Sequence, residues 1–147
     1  MKGYWKNPKA SEETLRDGWL HTGDIARMDA DGYVYIVDRL KDMILTAGYN
    51  VYPAEIEQTL VRHPMVKDVA VVGVPDKRFG EVPMAFVQLR DGETCSEDEI
   101  TEFCSSRISN MKVPKYVRFV SEFPLTLQGK VQKFKMRDIA IQEMGLD

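Results

Sequence analysis

No apolar run in this 147-residue sequence approaches the roughly 20 residues a membrane-spanning helix needs. The best stretch, Val69 to Pro75, is the size of a strand. The opening Met1-Lys2-Gly3-Tyr4-Trp5-Lys6 lacks the apolar core of a secretory signal. Cysteine is scarce, and Cys95 and Cys104 alone make no disulfide framework, which fits a soluble protein of a reducing compartment. His21 and His63 stand apart, without an H-E-x-x-H or Cys/His cluster, so a zinc site built from protein ligands is not expected. The G-x-x-x-x-G-K-[ST] phosphate loop and the G-x-S-x-G elbow are both missing. A surplus of charge is missing too. Twenty Lys and Arg against 23 Asp and Glu leave a net charge of -3, which argues against a nucleic-acid binder driven by electrostatics.

What is present suits about one domain. The 44 % hydrophobic content supports a real core, and 29 % charged residues argue against wholesale disorder. Charge is nevertheless unevenly spread. Asp91, Glu93, Glu97, Asp98, Glu99 and Glu102 form an acidic stretch, and from Lys112 to Arg137 seven bases face only Glu122. These are either two solvated faces or an acidic face and a basic third that meets an anion, a small polyphosphate fitting better than a nucleic acid.

The hydrophobic pattern predicts an α+β fold, a small mixed sheet covered by helices and preceded by a β-hairpin. Trp5 and Trp19 flank a short helix-prone stretch in which Ser11 and Thr14 serve as cap and turn residues, and two tryptophans there suggest docking on a surface outside this chain. Ile25–Met28 and Tyr33–Val37 read as a hairpin around Asp29-Ala30-Asp31-Gly32. Met43–Leu45 reads as a brief strand broken at Ala47-Gly48. Pro53 opens a helix carrying Ile56, Leu60 and Val61, which His63-Pro64 stops. Val66–Val74 and Met84–Leu89 read as strands around a loop from Pro75 to Gly80. Ser96 and Glu99 make a capping box for a helix with Ile100, Phe103, Cys104 and Ile108 on its apolar face. Tyr116–Val120 is a strand, and a last helix runs near Phe134–Met144.

Three local features can carry chemistry. Lys130 follows Gly129 in a Thr-rich loop, where a turn can hold the backbone while the ammonium reaches a phosphate or carboxylate. The bland alternative is an ordinary surface lysine. Asp24 follows a glycine turn, His21-Thr22-Gly23, and could grip two vicinal ribose hydroxyls or merely stabilise its own turn. Asp38-Arg39-Leu40-Lys41-Asp42 ends a β run and suits a solvated strand end or an interdomain joint. Neither thiol looks nucleophilic, because Cys95 has acidic neighbours and Cys104 lies on an apolar face.

The order of the motifs adds what none gives alone. Gly3-Tyr4-Trp5, Asp17-Gly18-Trp19-Leu20-His21-Thr22-Gly23-Asp24, Asp38 to Ile44, Gly48 to Glu57, and Pro124-Leu125-Thr126 with Gly129-Lys130-Val131 resemble the C-terminal part of AMP-forming acyl-CoA synthetases. This acyl-adenylate-forming superfamily also holds luciferases and peptide-synthetase adenylation domains. The likeness runs from residue 3 to about residue 140. Tyr49 to Pro53 and Gln132-Lys133-Phe134 look most like fatty-acyl and related ligases.

The resemblance implies a two-step reaction. A carboxylate attacks the α-phosphate of ATP, bound with Mg2+, to give acyl-AMP and pyrophosphate; the thiol of coenzyme A then displaces AMP. It implies that Asp24 and Arg39 bind the ribose and nearby phosphate, that Lys41 sits at the hinge, that Gly48 lines the pantetheine tunnel, and that Lys130 is the adenylation lysine. Residues 1–40 would be the end of a large domain plus hinge, and 41–147 a mobile lid. The phosphate loop, the acyl pocket and the Mg2+ ligand would lie in that large domain, leaving this chain alone inactive and without a metal of its own. Leu45 is apolar where some relatives carry a lysine assisting the second step, and Gln128 replaces a common Asn or Ser. The partners implied are the large domain, ATP or AMP, CoA and a carboxylic acid, in the cytoplasm, with peripheral membrane association compatible. Other readings are a lid that serves a carrier protein, and a non-catalytic nucleotide- or partner-binding module.

Overall fold

Two units make up the chain in the computed structural model, which describes residues 1–146: Met1–Lys41, and a second beginning at Asp42. The first opens with α1 (Pro8–Thr14), capped by Asn7, whose side chain accepts the Ala10 N–H at 3.1 Å. Ser11, expected as the cap, instead lies within the helix. Its hydroxyl donates to the Asn7 carbonyl and accepts the Tyr4 N–H, both at 2.8 Å. Pro8 explains the difference, since proline favours the first helical turn and moves the cap one residue upstream of itself. The strands β1 (Leu15–Arg16) and β2 (Trp19–Leu20) pair briefly. A longer hairpin joins β3 (Asp24–Met28) to β4 (Val34–Arg39). Asp29 closes its turn by accepting the N–H groups of Asp31 and Tyr33 and the Tyr35 hydroxyl, which hold its carboxyl below the ordinary range. Trp5 and Trp19 are largely exposed.

The second unit is one five-stranded sheet with helices on both faces. It comprises β5 (Ile44–Thr46), β6 (Tyr49–Val51), α2 (Pro53–Leu60), β7 (Val66–Asp76), β8 (Gly80–Leu89), α3 (Glu97–Ser105), β9 (Tyr116–Phe119) and α4 (Lys133–Met144). The strand order is β6-β5-β8-β7, with β9 parallel to β8 and every other pairing antiparallel. The sheet is mixed, as the pattern predicts.

Alternation on β7 and β8 divides the core. Val69, Val71, Ala85 and Val87 face α2 and α3, meeting Ile56, Leu60, Ile100 and Cys104. Ala70, Val72, Val74, Val82, Met84 and Phe86 face the other way, onto Met136 and Ala140 of α4. Strands covered on both faces read as continuous apolar runs, which is why this pair stands out in the sequence. The capping box at Ser96 and Glu99 forms as expected, with both reciprocal bonds present.

Ala47-Gly48 breaks the strand as expected, and it does so as the two-residue turn of the β5–β6 hairpin, with φ of 49° and 84°. Positive φ at both central residues gives the turn whose twist matches a hairpin. β7 and β8 run closer to their turn than expected, because Asp76 caps it by accepting the N–H groups of Arg78 and Phe79. Val61 falls beyond α2 and is exposed, and Ile108 packs on the core from beyond the end of α3.

Candidate functional site

Asp24 and Arg39 come together because β3 and β4 pair them directly across the hairpin. Arg39 Nε stands 3.4 Å from Asp24 Oδ1, and the Asp24 N–H donates to Thr22 Oγ1 at 3.1 Å. A carboxylate acceptor and a guanidinium are thus offered side by side. That combination suits a hydroxyl donor next to an anion. Lys41 is exposed, in a single 3-10 turn, Leu40–Asp42, at the boundary between the two units.

Gly48 sits at the exposed tip of the β5–β6 hairpin. No atom lies within 4 Å of where a Cβ would stand, so the chain itself leaves this position open. The tip is nevertheless fixed, since the Ala47 N–H donates to the Phe79 carbonyl at 2.8 Å.

Lys130 is held by its backbone and free at its end. The Leu125–Val131 bridge closes a small loop. Within it the Thr126 N–H donates to the Lys130 carbonyl at 2.8 Å, and the Lys130 N–H donates to Thr126 Oγ1 at 3.2 Å. Gln132 ties the base of the loop through Pro124 and Leu125 carbonyls. Gly129, at φ 77°, supplies the left-handed residue this turn requires. The local sequence indicated a held turn, but not that Thr126 would hold both polar groups of the Lys130 backbone.

The basic run from Lys112 to Arg137 is not the open anion-binding surface weighed from sequence. Five of its seven bases are spent on carboxylates of the same unit: Lys112 on Glu55, Lys115 on Asp76, Arg118 on Glu143, Lys133 on Glu57 and Arg137 on Glu81. Among the described residues Lys130 and Lys135 have no such counterion. Lys130 is the one presented from a hydrogen-bonded loop. An exposed ammonium with its backbone fixed and no internal carboxylate can neutralise an incoming anion without first breaking an ion pair.

Other candidates fall away. Burial pushes the Cys104 thiol up to about 11. Cys95 is raised as well, by burial first and then by the neighbouring Glu99 carboxylate, the acidic neighbour the sequence pointed to. Among the described residues no three His, Cys, Asp or Glu side chains converge to hold a metal, and Mg2+ finds no fitting ligand set here. A cleft of about 570 Å3 opens beside Asp76, Lys77, Arg78, Lys115 and Tyr116, and none of Asp24, Arg39, Lys41, Gly48 or Lys130 lines it. No helix among the described residues is long and apolar enough to cross a membrane.

The AMP-binding enzyme C-terminal domain family matches residues 55–130, from Glu55 on α2 to Lys130 itself. The chain belongs to that family. As a member of the AMP-binding enzyme C-terminal domains it is 49 % identical over 147 residues to the human (Homo sapiens) mitochondrial medium-chain acyl-CoA ligase ACSF2, covering 99 % of this chain and 24 % of the relative. It is 50 % identical over 137 residues to a feruloyl-CoA synthase of an Amycolatopsis species, covering 93 % and 28 %. Among solved structures, ATP-bound MatB from Rhodopseudomonas palustris superposes with a TM-score of 0.87 at 38 % identity, covering 95 % of this chain and 28 % of that one. The chain thus spans about a quarter of the length of the relatives it matches. The superposition agrees with the mixed sheet and its helices described above.

Proposed function

We propose that this chain is the C-terminal part of an ATP-dependent acyl-CoA ligase, in which the unit from Asp42 onward is a mobile lid and the unit up to about Lys41 ends the large domain. In the first step a fatty-acid carboxylate attacks the α-phosphate of ATP, the bond to pyrophosphate breaks, and acyl-AMP forms. In the second, the coenzyme A thiol attacks the acyl carbon, a thioester forms and AMP leaves. The named activities of the relatives, acyl-CoA ligase and feruloyl-CoA synthase, support this class.

The observation that carries the reading is Lys130. Two anions, a carboxylate and a phosphate, repel as they approach, and an ammonium between them cancels that repulsion at its maximum. A lysine already paired could not serve without losing its partner. Asp24 and Arg39 would take the ribose hydroxyls and an adjacent phosphate oxygen, and Lys41 would lie at the pivot. Gly48 would leave room for the pantetheine arm in the second step. Free thiols at Cys95 and Cys104 agree with a reducing compartment such as the cytoplasm. Mg2+ would arrive with ATP and be held outside this chain.

ATP–pyrophosphate exchange with a panel of fatty acids tests the proposal. The chain joined to its large domain should exchange, and the 147-residue chain alone should not rise above a protein-free blank. Exchange by the chain alone, or none with any acid by the longer protein, overturns it.

A further inference from the structure

Gly73, in the middle of β7, leaves a space that a side chain from another element occupies. A Cβ there would stand 3.1 Å from Ile44 Cγ2 and 3.2 Å from Arg137 Nη1. Its φ is ordinary, so this glycine is set by close approach and not by backbone conformation. Arg137, on α4, uses the space. Its Nη1 donates to the Gly73 carbonyl at 2.7 Å, and its Nη2 lies 2.7 Å from Glu81 Oε1. The other Glu81 oxygen accepts the Leu45 N–H at 3.3 Å. One unbroken polar path therefore runs from α4 across β7 and β8 into β5.

Both ends of that path matter for position. Leu45 lies in the hairpin whose turn is Ala47-Gly48, three residues before Gly48, and α4 begins three residues after Lys130. The hairpin is also tied by the Thr46–Gly80 pairing, by the Ala47–Phe79 bond and by the burial of Ile44 and Val51 in the core. A guanidinium is suited to this task because its fork can serve a carbonyl and a carboxylate in fixed directions at once. Without Arg137, the Glu81 carboxylate gains more from water than from one long bond to a backbone amide, and it would leave Leu45.

We propose that Arg137 and Glu81 are positioning residues that set the Gly48 hairpin against the body of the lid, so that they govern the thioester-forming step and not adenylation. The proposal rests on the ligase reading above. Its structural half is tested on the 147-residue chain by amide hydrogen exchange. Arg137→Met and Glu81→Gln should each speed exchange at Leu45 about five- to tenfold, the weight of one hydrogen bond, with Val87 in β8 unchanged. Gly73→Ala, whose Cβ would press on Ile44 of β5 as well as on Arg137, should speed it at least as much, and Arg137→Lys, which keeps the charge but not the fork, should restore protection only in part.

The functional half uses the longer ligase and separates the two steps. Thioester formation from supplied acyl-AMP should fall about tenfold in Arg137→Met and Gly73→Ala, mostly as a raised KM for CoA, with acyl-AMP formation within about twofold of wild type. A Leu45 amide that does not respond overturns the proposal. So does an equal fall in both steps, which would mark a merely structural pair. Failure of the ligase reading shows itself separately, as a wild-type protein that forms no acyl-AMP, and it removes the proposal too.

Discussion

Lys133 Nζ lies 2.6 Å from Glu57 Oε1, and that same oxygen accepts the Val71 N–H at 2.8 Å. A single carboxylate on α2 thereby joins the edge of β7 to the first residue of α4. Lys133 is only three positions beyond Lys130, so the pair pins the chain where the loop of Lys130 returns to the fold. It also explains a difference between two nearby lysines. Lys133 is consumed in holding the structure together, and Lys130, on the tighter loop, has nothing of its own to hold.

Glu57 should therefore count for stability mainly as an acceptor. Val71 is fully buried, and removing the acceptor leaves its N–H without a partner. Glu57→Ala should cost about 1–3 kcal/mol, and Glu57→Gln, which keeps an oxygen in place, about 1 kcal/mol or less. Urea unfolding of the 147-residue chain measures both. Equal losses would mean that the charge on Glu57 matters and the amide bond does not.

At Gly48 two explanations for glycine make different demands. The positive φ at this turn disfavours any L side chain except Asn or Asp, at roughly 1–2 kcal/mol. The tunnel argument disfavours any side chain at all. Gly48→Asn separates them, because Asn tolerates this conformation yet still projects atoms from the tip. If the tunnel reading holds, Gly48→Asn folds normally, adenylates normally and is slow in making the thioester, as Gly48→Leu should also be. A Gly48→Asn variant with a normal second step would assign this glycine to the hairpin alone.

The unequal legibility of these features has a physical basis. The β7–β8 pair, the capping box at Ser96 and the turn at Gly32 are written in neighbouring residues, and each forms as expected apart from the longer turn ends of β7 and β8. The Ala47-Gly48 turn is obscured because alanine at a φ of 49° contradicts its own preference; the surrounding hairpin and the remote Phe79 carbonyl hold it there. The ion pairs are invisible because their partners are remote. Lys112 meets Glu55 across 57 positions, and Arg137 reaches Gly73 across 64. A run of like charge in sequence thus becomes a set of separate tethers in space. Of the proposed site residues, only the pairing of Asp24 with Arg39 follows from a hairpin that the sequence also predicts.

Asp76 gives the fold a dependence on acid. The bond from Lys115, together with the N–H groups of Phe79 and Arg78, holds its carboxyl down to about 2, well below its ordinary 3.8. A carboxyl depressed in the folded state contributes its full stability above the unfolded value and loses it as pH falls towards the folded value. The window is therefore about pH 4 down to about pH 2. Urea unfolding of wild type and Asp76→Asn across pH 2–6 should show a constant gap above pH 4 that closes towards pH 2. A gap that stays constant down to pH 2 would show that the Lys115 bond does not depend on the Asp76 charge.

Lys130→Ala is the sharpest test of the site. The lysine acts only while a carboxylate and a phosphate approach each other, so its effect belongs to the transition state of adenylation. Loss of one such preorganised group typically costs about 10²–10³ in rate, roughly 3–4 kcal/mol. Because Lys130 has no carboxylate partner among the described residues, the variant loses none of the ion pairs seen there, and its unfolding midpoint should match wild type. Supplied with preformed acyl-AMP, the variant ligase should make acyl-CoA at near wild-type rate, since the repulsion that Lys130 relieves is already past. Lys130→Arg keeps the charge but not the compact ammonium, and should recover part of the first step only. An adenylation rate within about threefold of wild type for Lys130→Ala, under 1 kcal/mol of barrier, would leave Lys130 an ordinary surface lysine. The geometry of its loop argues against that outcome. Thr126 and Gly129 fix a backbone that a merely solvating side chain would not need fixed.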